Sequence, residues 1–167
     1  MWAKLKRWLR EGVVLLLIAA AAMLVMDQFR QLTLPSTLVS APLQTLDGKP
    51  VSLSEMSQER PLLVYVWATW CGVCRYTTPS VANLAEEGAN VISVALRSGD
   101  AATLSQWLAR KHYALPTIND PEGKLARDWQ VQVTPTLLFI ERGEVKSITT
   151  GLTSSWGMRL RLWWAGW

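Results

Sequence analysis

Two cysteines, Cys71 and Cys74, are the only ones in this 167-residue sequence, and they lie three apart in Cys71-Gly72-Val73-Cys74. A zinc site would need two further ligands, and His112 is the only histidine. A structural staple explains the pair poorly, because closing so short a loop removes little entropy from the unfolded chain. Reversible thiol–disulfide exchange suits it better. That chemistry needs one accessible sulfur with thiolate character and a second within reach to resolve a mixed disulfide.

The surrounding periodicity says what positions the pair. Leu62 to Ala68, LLVYVWA, is a continuous apolar run between Pro61 and the cysteine turn, and it reads as a strand buried on both faces. Cys74 to Glu87 follows with helical spacing, with Val81, Leu84 and Ala85 on one side and Pro79 as a kink. Cys71 therefore stands at a helix start, whose partial positive charge favours a thiolate, and Cys74 lies one turn inward. Cys71 is the expected attacking sulfur and Cys74 the resolving one.

The remaining elements complete a single α/β domain. Asp47-Gly48 marks a turn, so a hairpin opens the domain. Val91 to Leu96 is a second buried strand, and Ala101 to Arg110 is a helix with Leu104, Trp107 and Leu108 in phase. A short helix over Leu125 to Trp129 follows the turn at 120–123. Leu137 to Ile140 and Val145 to Thr149 form a hairpin around Arg142-Gly143, and Trp156 to Trp164 is a last helix. This order implies a central mixed sheet with helices on both faces.

The front of the chain has another character. Its first eleven residues hold Lys4, Lys6, Arg7 and Arg10 against Glu11, a net of +3. The rest carries 13 Lys/Arg and 12 Asp/Glu, so the total of +4 belongs mainly to this tail. A near-neutral body without a basic stripe argues against a nucleic-acid partner. Gly12 to Met26 contains no charge and would span about 22 Å as a helix, against a hydrocarbon core of about 30 Å. Trp8, Leu9 and Phe29 at the interface, with Arg7 and Arg10 snorkelling, can make up the difference. The expected layout is a basic cytoplasmic tail over 1–11, one transmembrane anchor over 12–29, a linker over 30–40 and the α/β domain over 41–167. A cleaved signal peptide is the rival reading, but cutting within Ala19 to Ala22 would leave an apolar stub. Under either reading the domain is exported.

Residues 67–75, WATWCGVCR, resemble the active site of thioredoxin-fold proteins, and the wider layout resembles their membrane-tethered, periplasmic TlpA-like branch. Ala41-Pro42 and Asp47-Gly48-Lys49-Pro50-Val51-Ser52-Leu53 precede the first central strand. Asp120, Gly123, Ala126, Trp129 and Val131 precede Pro135-Thr136. The resemblance covers residues 40–150 and implies a thioredoxin-like fold and a thiol-disulfide oxidoreductase without a cofactor or metal. It implies exported protein thiols or disulfides as partners, a membrane electron donor of the DsbD type, and a bacterial inner-membrane location with the N-terminus cytoplasmic. Within the branch the layout is most similar to members acting in copper tolerance. The resemblance further makes Pro135 a cis-proline facing the dithiol, with the Thr134 backbone open to a substrate strand. Trp70 would shape the substrate surface, and Trp67 would belong to the core.

Three positions depart from the family pattern. Tyr65 stands where thioredoxin has a buried aspartate. Thr77 stands where many TlpA-like reductants have glutamate, and Thr136 where cytochrome c maturation reductants often do. Each missing carboxylate removes a like-charge repulsion, so the dithiol is expected to ionise more readily and to have an intermediate potential. A cytochrome c maturation-type reductant is an alternative that Thr77 and Thr136 weaken. A Cu(I)-binding protein is another, since two thiolates are soft ligands, although neither active loop offers a histidine or methionine to complete a chelate. His112 reads as a surface histidine, Glu86-Glu87 as a solvated helix end, and RLRLWWAGW as a helix packed on the sheet.

Overall fold

The computed structural model describes residues 39–166, together with residues 8, 11–14 and 18. The chain divides into two compact units, Met1–Gln31 and Leu32–Trp167, and the second holds both cysteines and the whole sheet. Most of the expected anchor over 12–29 lies outside the described residues. Among the described residues, no helix is long and apolar enough to cross a membrane.

A two-stranded hairpin, β1 (Leu43–Gln44) and β2 (Pro50–Val51), opens the domain around the Asp47-Gly48 turn. Gly48 takes the positive φ of 81° that such a turn demands. A single helical turn, α1 (Leu53–Met56), leads to the central strand β3 (Leu62–Trp67). Next come α2 (Cys74–Glu86), β4 (Val91–Leu96), α3 (Ala101–Lys111) and β5 (Thr117–Asp120). After α4 (Lys124–Asp128), the chain ends with β6 (Thr136–Glu141), β7 (Glu144–Thr150) and α5 (Ser155–Ala165). The five-stranded sheet runs β5-β4-β3-β6-β7. β3 is parallel to β4 and antiparallel to β6, so the sheet is mixed.

The period of two along β3 divides the core. Leu63, Tyr65 and Trp67 face one side, with Val81 and Leu84 of α2, Leu104 and Leu108 of α3 and Met158 of α5. Leu62, Val64 and Val66 face the other, with Leu53 of α1 and Trp129 at the end of α4. Every β3 side chain is buried, at roughly 1.5–3 kcal/mol for each large apolar group removed from water. The strand carrying the cysteine turn is thus buried on both faces and paired on both edges.

The expected strands and helices are present, with ends within two residues of their predicted bounds. Two elements are additional. β5 joins the sheet through parallel pairing with β4, from Ser93 opposite Thr117 to Leu96 opposite Asp120. α1 begins at Ser52, whose side chain accepts from the Glu55 N–H. His112 is exposed and ends α3 in a left-handed conformation, φ 56°. Glu86 and Glu87 are exposed, and Glu87 pairs with Arg159 of α5.

Candidate active site

The cysteine turn sits between the end of β3 and the start of α2. Cys71 and Cys74 form a disulfide, with their Cα atoms 5.2 Å apart. Cys71 is partly exposed, while Cys74 is only 1% exposed and packs into the core. An incoming sulfur can therefore reach Cys71 and not Cys74.

The start of α2 gives the Cys71 sulfur a setting that no other helix start in the domain has. At α1, α3 and α5 a side-chain oxygen of Ser52, Asp100 or Ser154 accepts the N–H three residues on. α2 has no such oxygen, and Val73 at its boundary makes no side-chain cap. Instead the Cys74 N–H donates to Cys71 Sγ at 3.1 Å, the same three-residue relation. The sulfur lies two residues before the Val73 boundary and meets the first amide of the helix, where a negative charge is favoured by the free amides and the helix dipole. Helix starts of this kind stabilise a cysteine thiolate.

The second wall of the site comes from the loop before β6. The Thr134–Pro135 peptide bond is cis. The Thr134 carbonyl oxygen lies 3.5 Å from Cys71 Sγ. The Pro135 carbonyl accepts from the Gly151 N–H at 2.9 Å, and the Thr136 hydroxyl donates to the Val133 carbonyl at 2.7 Å. The third wall is the loop after β4. There the Trp70 indole N–H donates to the Arg97 carbonyl at 3.0 Å, and the Thr69 N–H donates to the Ser98 hydroxyl at 3.0 Å. Trp70 is 62% exposed although its N–H is tied, so its ring is presented to solvent in a fixed place.

Cys71, Cys74, Trp70, Thr134 and Pro135, scattered over 66 positions, are thus gathered on one rim. Trp67 is fully buried, with its ring 5.1 Å from that of Trp107. Other members of the rim have no signal in the sequence. Val73, Tyr76 and Val133 are exposed apolar or aromatic groups on the cysteine turn, the first turn of α2 and the loop before β6, and Leu152 is exposed on the loop after β7, next to the Gly151 that pairs with Pro135. Arg97 and Ser98 serve through their backbone carbonyl and hydroxyl. Among the described residues no cluster of three or more His, Cys, Asp or Glu could hold a metal.

Beneath the disulfide the surroundings are neutral. Tyr65 occupies the position of the absent aspartate, and burial pushes its phenol well above the usual range against the opposing pull of the Thr78 hydrogen bond. Thr77 is buried and donates to the Val73 carbonyl at 3.4 Å. Thr136 is buried and turned to Val133.

Comparison with known proteins decides the kinship. Residues 25–148 match the AhpC/TSA family over most of the chain. The chain belongs to the AhpC/TSA family. Within it, a thioredoxin-like protein from Haemophilus influenzae is 42% identical over 97% of this chain and 97% of its own length. A thiol:disulfide interchange protein DsbE from Pseudomonas fluorescens is 31% identical over 89% of this chain and 87% of its own. Among solved structures, an exposed lipoprotein thioredoxin from Streptococcus pneumoniae superposes with a TM-score of 0.64 at 26% identity. It covers 73% of this chain and 96% of its own. A secreted Mycobacterium tuberculosis disulfide oxidoreductase homologous to DsbE shares the fold, with a TM-score of 0.63 at 19% identity over 77% of this chain and 98% of its own. This AhpC/TSA member therefore has the thioredoxin-like α/β fold and is a thiol-disulfide oxidoreductase of the DsbE type.

Proposed function

We propose that the protein exchanges disulfides with exported protein partners through Cys71 as attacking sulfur and Cys74 as resolving sulfur. The observation that carries this reading is the Cys74 N–H on the sulfur of the more exposed cysteine, in place of a helix cap. In the reducing direction the Cys71 thiolate attacks one sulfur of a partner disulfide, and the other partner sulfur leaves as a thiolate. The Cys74 thiol gives up its proton and attacks Cys71 Sγ, releasing the second partner thiol and closing the Cys71–Cys74 disulfide. Two electrons pass to the partner; the Cys74 proton goes to one partner sulfur and solvent protonates the other. A membrane dithiol donor of the DsbD type restores the reduced form. In the oxidising direction the same steps run backwards.

Trp70, Thr134 and Pro135 are the proposed substrate contacts, joined by Val73, Tyr76, Val133 and Leu152. An extended partner segment with apolar side chains beside its cysteine fits this rim. Proline at 135 has no N–H, so the Thr134 backbone stays available to pair with that segment. The absence of a carboxylate beside Cys74 supports a potential above that of thioredoxin, about −270 mV.

The proposed setting is the bacterial inner membrane, with residues 12–29 as a single span, the N-terminus cytoplasmic and the catalytic domain periplasmic. The basic tail and uncharged run support it. A role in copper-stress tolerance is supported by the resemblance of the sequence layout to TlpA-like members acting there.

Turnover of insulin or a small disulfide, set beside Cu(I) titration of the reduced protein, tests the assignment. Catalysed reduction that disappears in Cys71→Ala is the expected result. Tight Cu(I) binding without any exchange would overturn it in favour of metal carriage.

A further inference from the structure

A buried hydrogen-bond chain runs beneath the dithiol. Tyr65 lies on the central strand, paired with Ser93 of β4 and Leu137 of β6. Its hydroxyl oxygen is 2.9 Å from Thr78 Oγ1, and Thr78 Oγ1 is 2.7 Å from the Cys74 carbonyl oxygen. All three residues are buried. A carbonyl oxygen can only accept, so the single Thr78 hydroxyl proton is committed to Cys74. Tyr65 must then donate to Thr78. The chain has one direction, from Tyr65 through Thr78 to Cys74.

Besides the disulfide and the local Thr77–Val73 bond, the first turn of α2 is short of ties. It lacks a capping oxygen, and Pro79 has no N–H to offer the Arg75 carbonyl. Yet this turn carries the Cys74 amide that meets the Cys71 sulfur. We propose that Tyr65 is a positioning residue for the redox pair: through Thr78 it fastens the first turn of α2 to the central strand and so holds the Cys74 N–H on Cys71 Sγ. The inference rests on Cys71 being the attacking sulfur. As a donor, the phenol does not take the Cys74 proton; it acts by placement. A well-placed amide strengthens the charge-assisted bond to a Cys71 thiolate, which stabilises the reduced form and makes the pair more oxidising. Loosening it makes the pair more reducing.

The test equilibrates the full-length protein with glutathione redox buffers as wild type, Tyr65→Phe, Thr78→Val, Thr78→Ser and the Tyr65→Phe/Thr78→Val double variant. Tyr65→Phe and Thr78→Val are each expected to shift the equilibrium about fivefold towards the disulfide, about 20 mV on the two-electron scale. Thr78→Ser keeps the hydroxyl and stays within about twofold of wild type, and the double variant moves no further than either single one. Tyr65→Phe within about twofold of wild type, or single shifts that add in the double variant, would overturn the proposal. If Tyr65→Phe does not fold, Thr78→Val against Thr78→Ser decides alone. A wild type that does not exchange with glutathione would instead refute the redox pair itself, whereas a normal wild type with unmoved variants refutes only the tie.

Discussion

At Cys71 a sulfur meets the first amide of α2, a helix start without the side-chain oxygen cap that Ser52, Asp100 and Ser154 give three others. A residue that adds positive charge beside it should stabilise the thiolate further. Val73 is exposed, so Val73→His can be accommodated. Glutathione equilibration should find that variant more oxidising by about 30 mV or more, a tenfold change in the equilibrium. Tyr65 gives a second prediction at this scale. Its ordinary value is 10.0, and burial raises it in the fold. The folded state keeps a phenolic proton that the unfolded chain loses above pH 10, so the contribution to stability is complete below that pH. It is lost as pH rises from there through the folded value. Denaturant midpoints should fall on going from about pH 8 to about pH 11, and fall less in Tyr65→Phe. An equal fall in both proteins would contradict the assignment.

At the scale of elements, α4 shows how a distant carboxylate replaces a local cap. Gly123 begins the helix with φ 69° and has no side chain to offer, so Asp120 accepts from the Leu125 N–H at 3.2 Å and the Ala126 N–H at 3.0 Å. Asp120 is buried, and Asp120→Ala should cost about 1–3 kcal/mol in denaturant unfolding. Gly123→Ala should also destabilise, by more than about 1 kcal/mol, because φ is positive and a Cβ would stand 2.9 Å from Arg97 Nε. β3 is legible as an unbroken apolar run and β4 as one interrupted only by Ser93. β5 and α1 are not, since Thr117–Asp120 becomes a strand only by pairing with β4, and Leu53–Met56 is one capped turn. The same limit applies to the site. The spacing of Cys71 and Cys74 is local and readable, and Trp70, Thr134 and Pro135 came through family resemblance. Arg97, Val133 and Leu152 reach the rim only because the sheet brings distant loops together, and Thr78 gains its partner only because β3 places Tyr65 beneath α2.

For the whole molecule, the charges and the cysteines divide the work between its two ends. The tail of Lys4, Lys6, Arg7 and Arg10 is the proposed orienting element, and the near-neutral domain is the proposed exported part. Fractionated cells should yield a membrane-bound protein with its N-terminal residues intact and a domain open to protease from the periplasmic side. A shortened chain in the soluble periplasmic fraction would show the front segment to be a removed signal. The domain has one accessible sulfur and one shielded sulfur, and the proposed exchange reaction depends on that asymmetry. It is tested most directly by trapping partners in cells and mapping the adducts by mass spectrometry. Cys74→Ala should hold partner proteins covalently at Cys71, and Cys71→Ala should hold none. Adducts at Cys74 in Cys71→Ala, or none in Cys74→Ala, would contradict it.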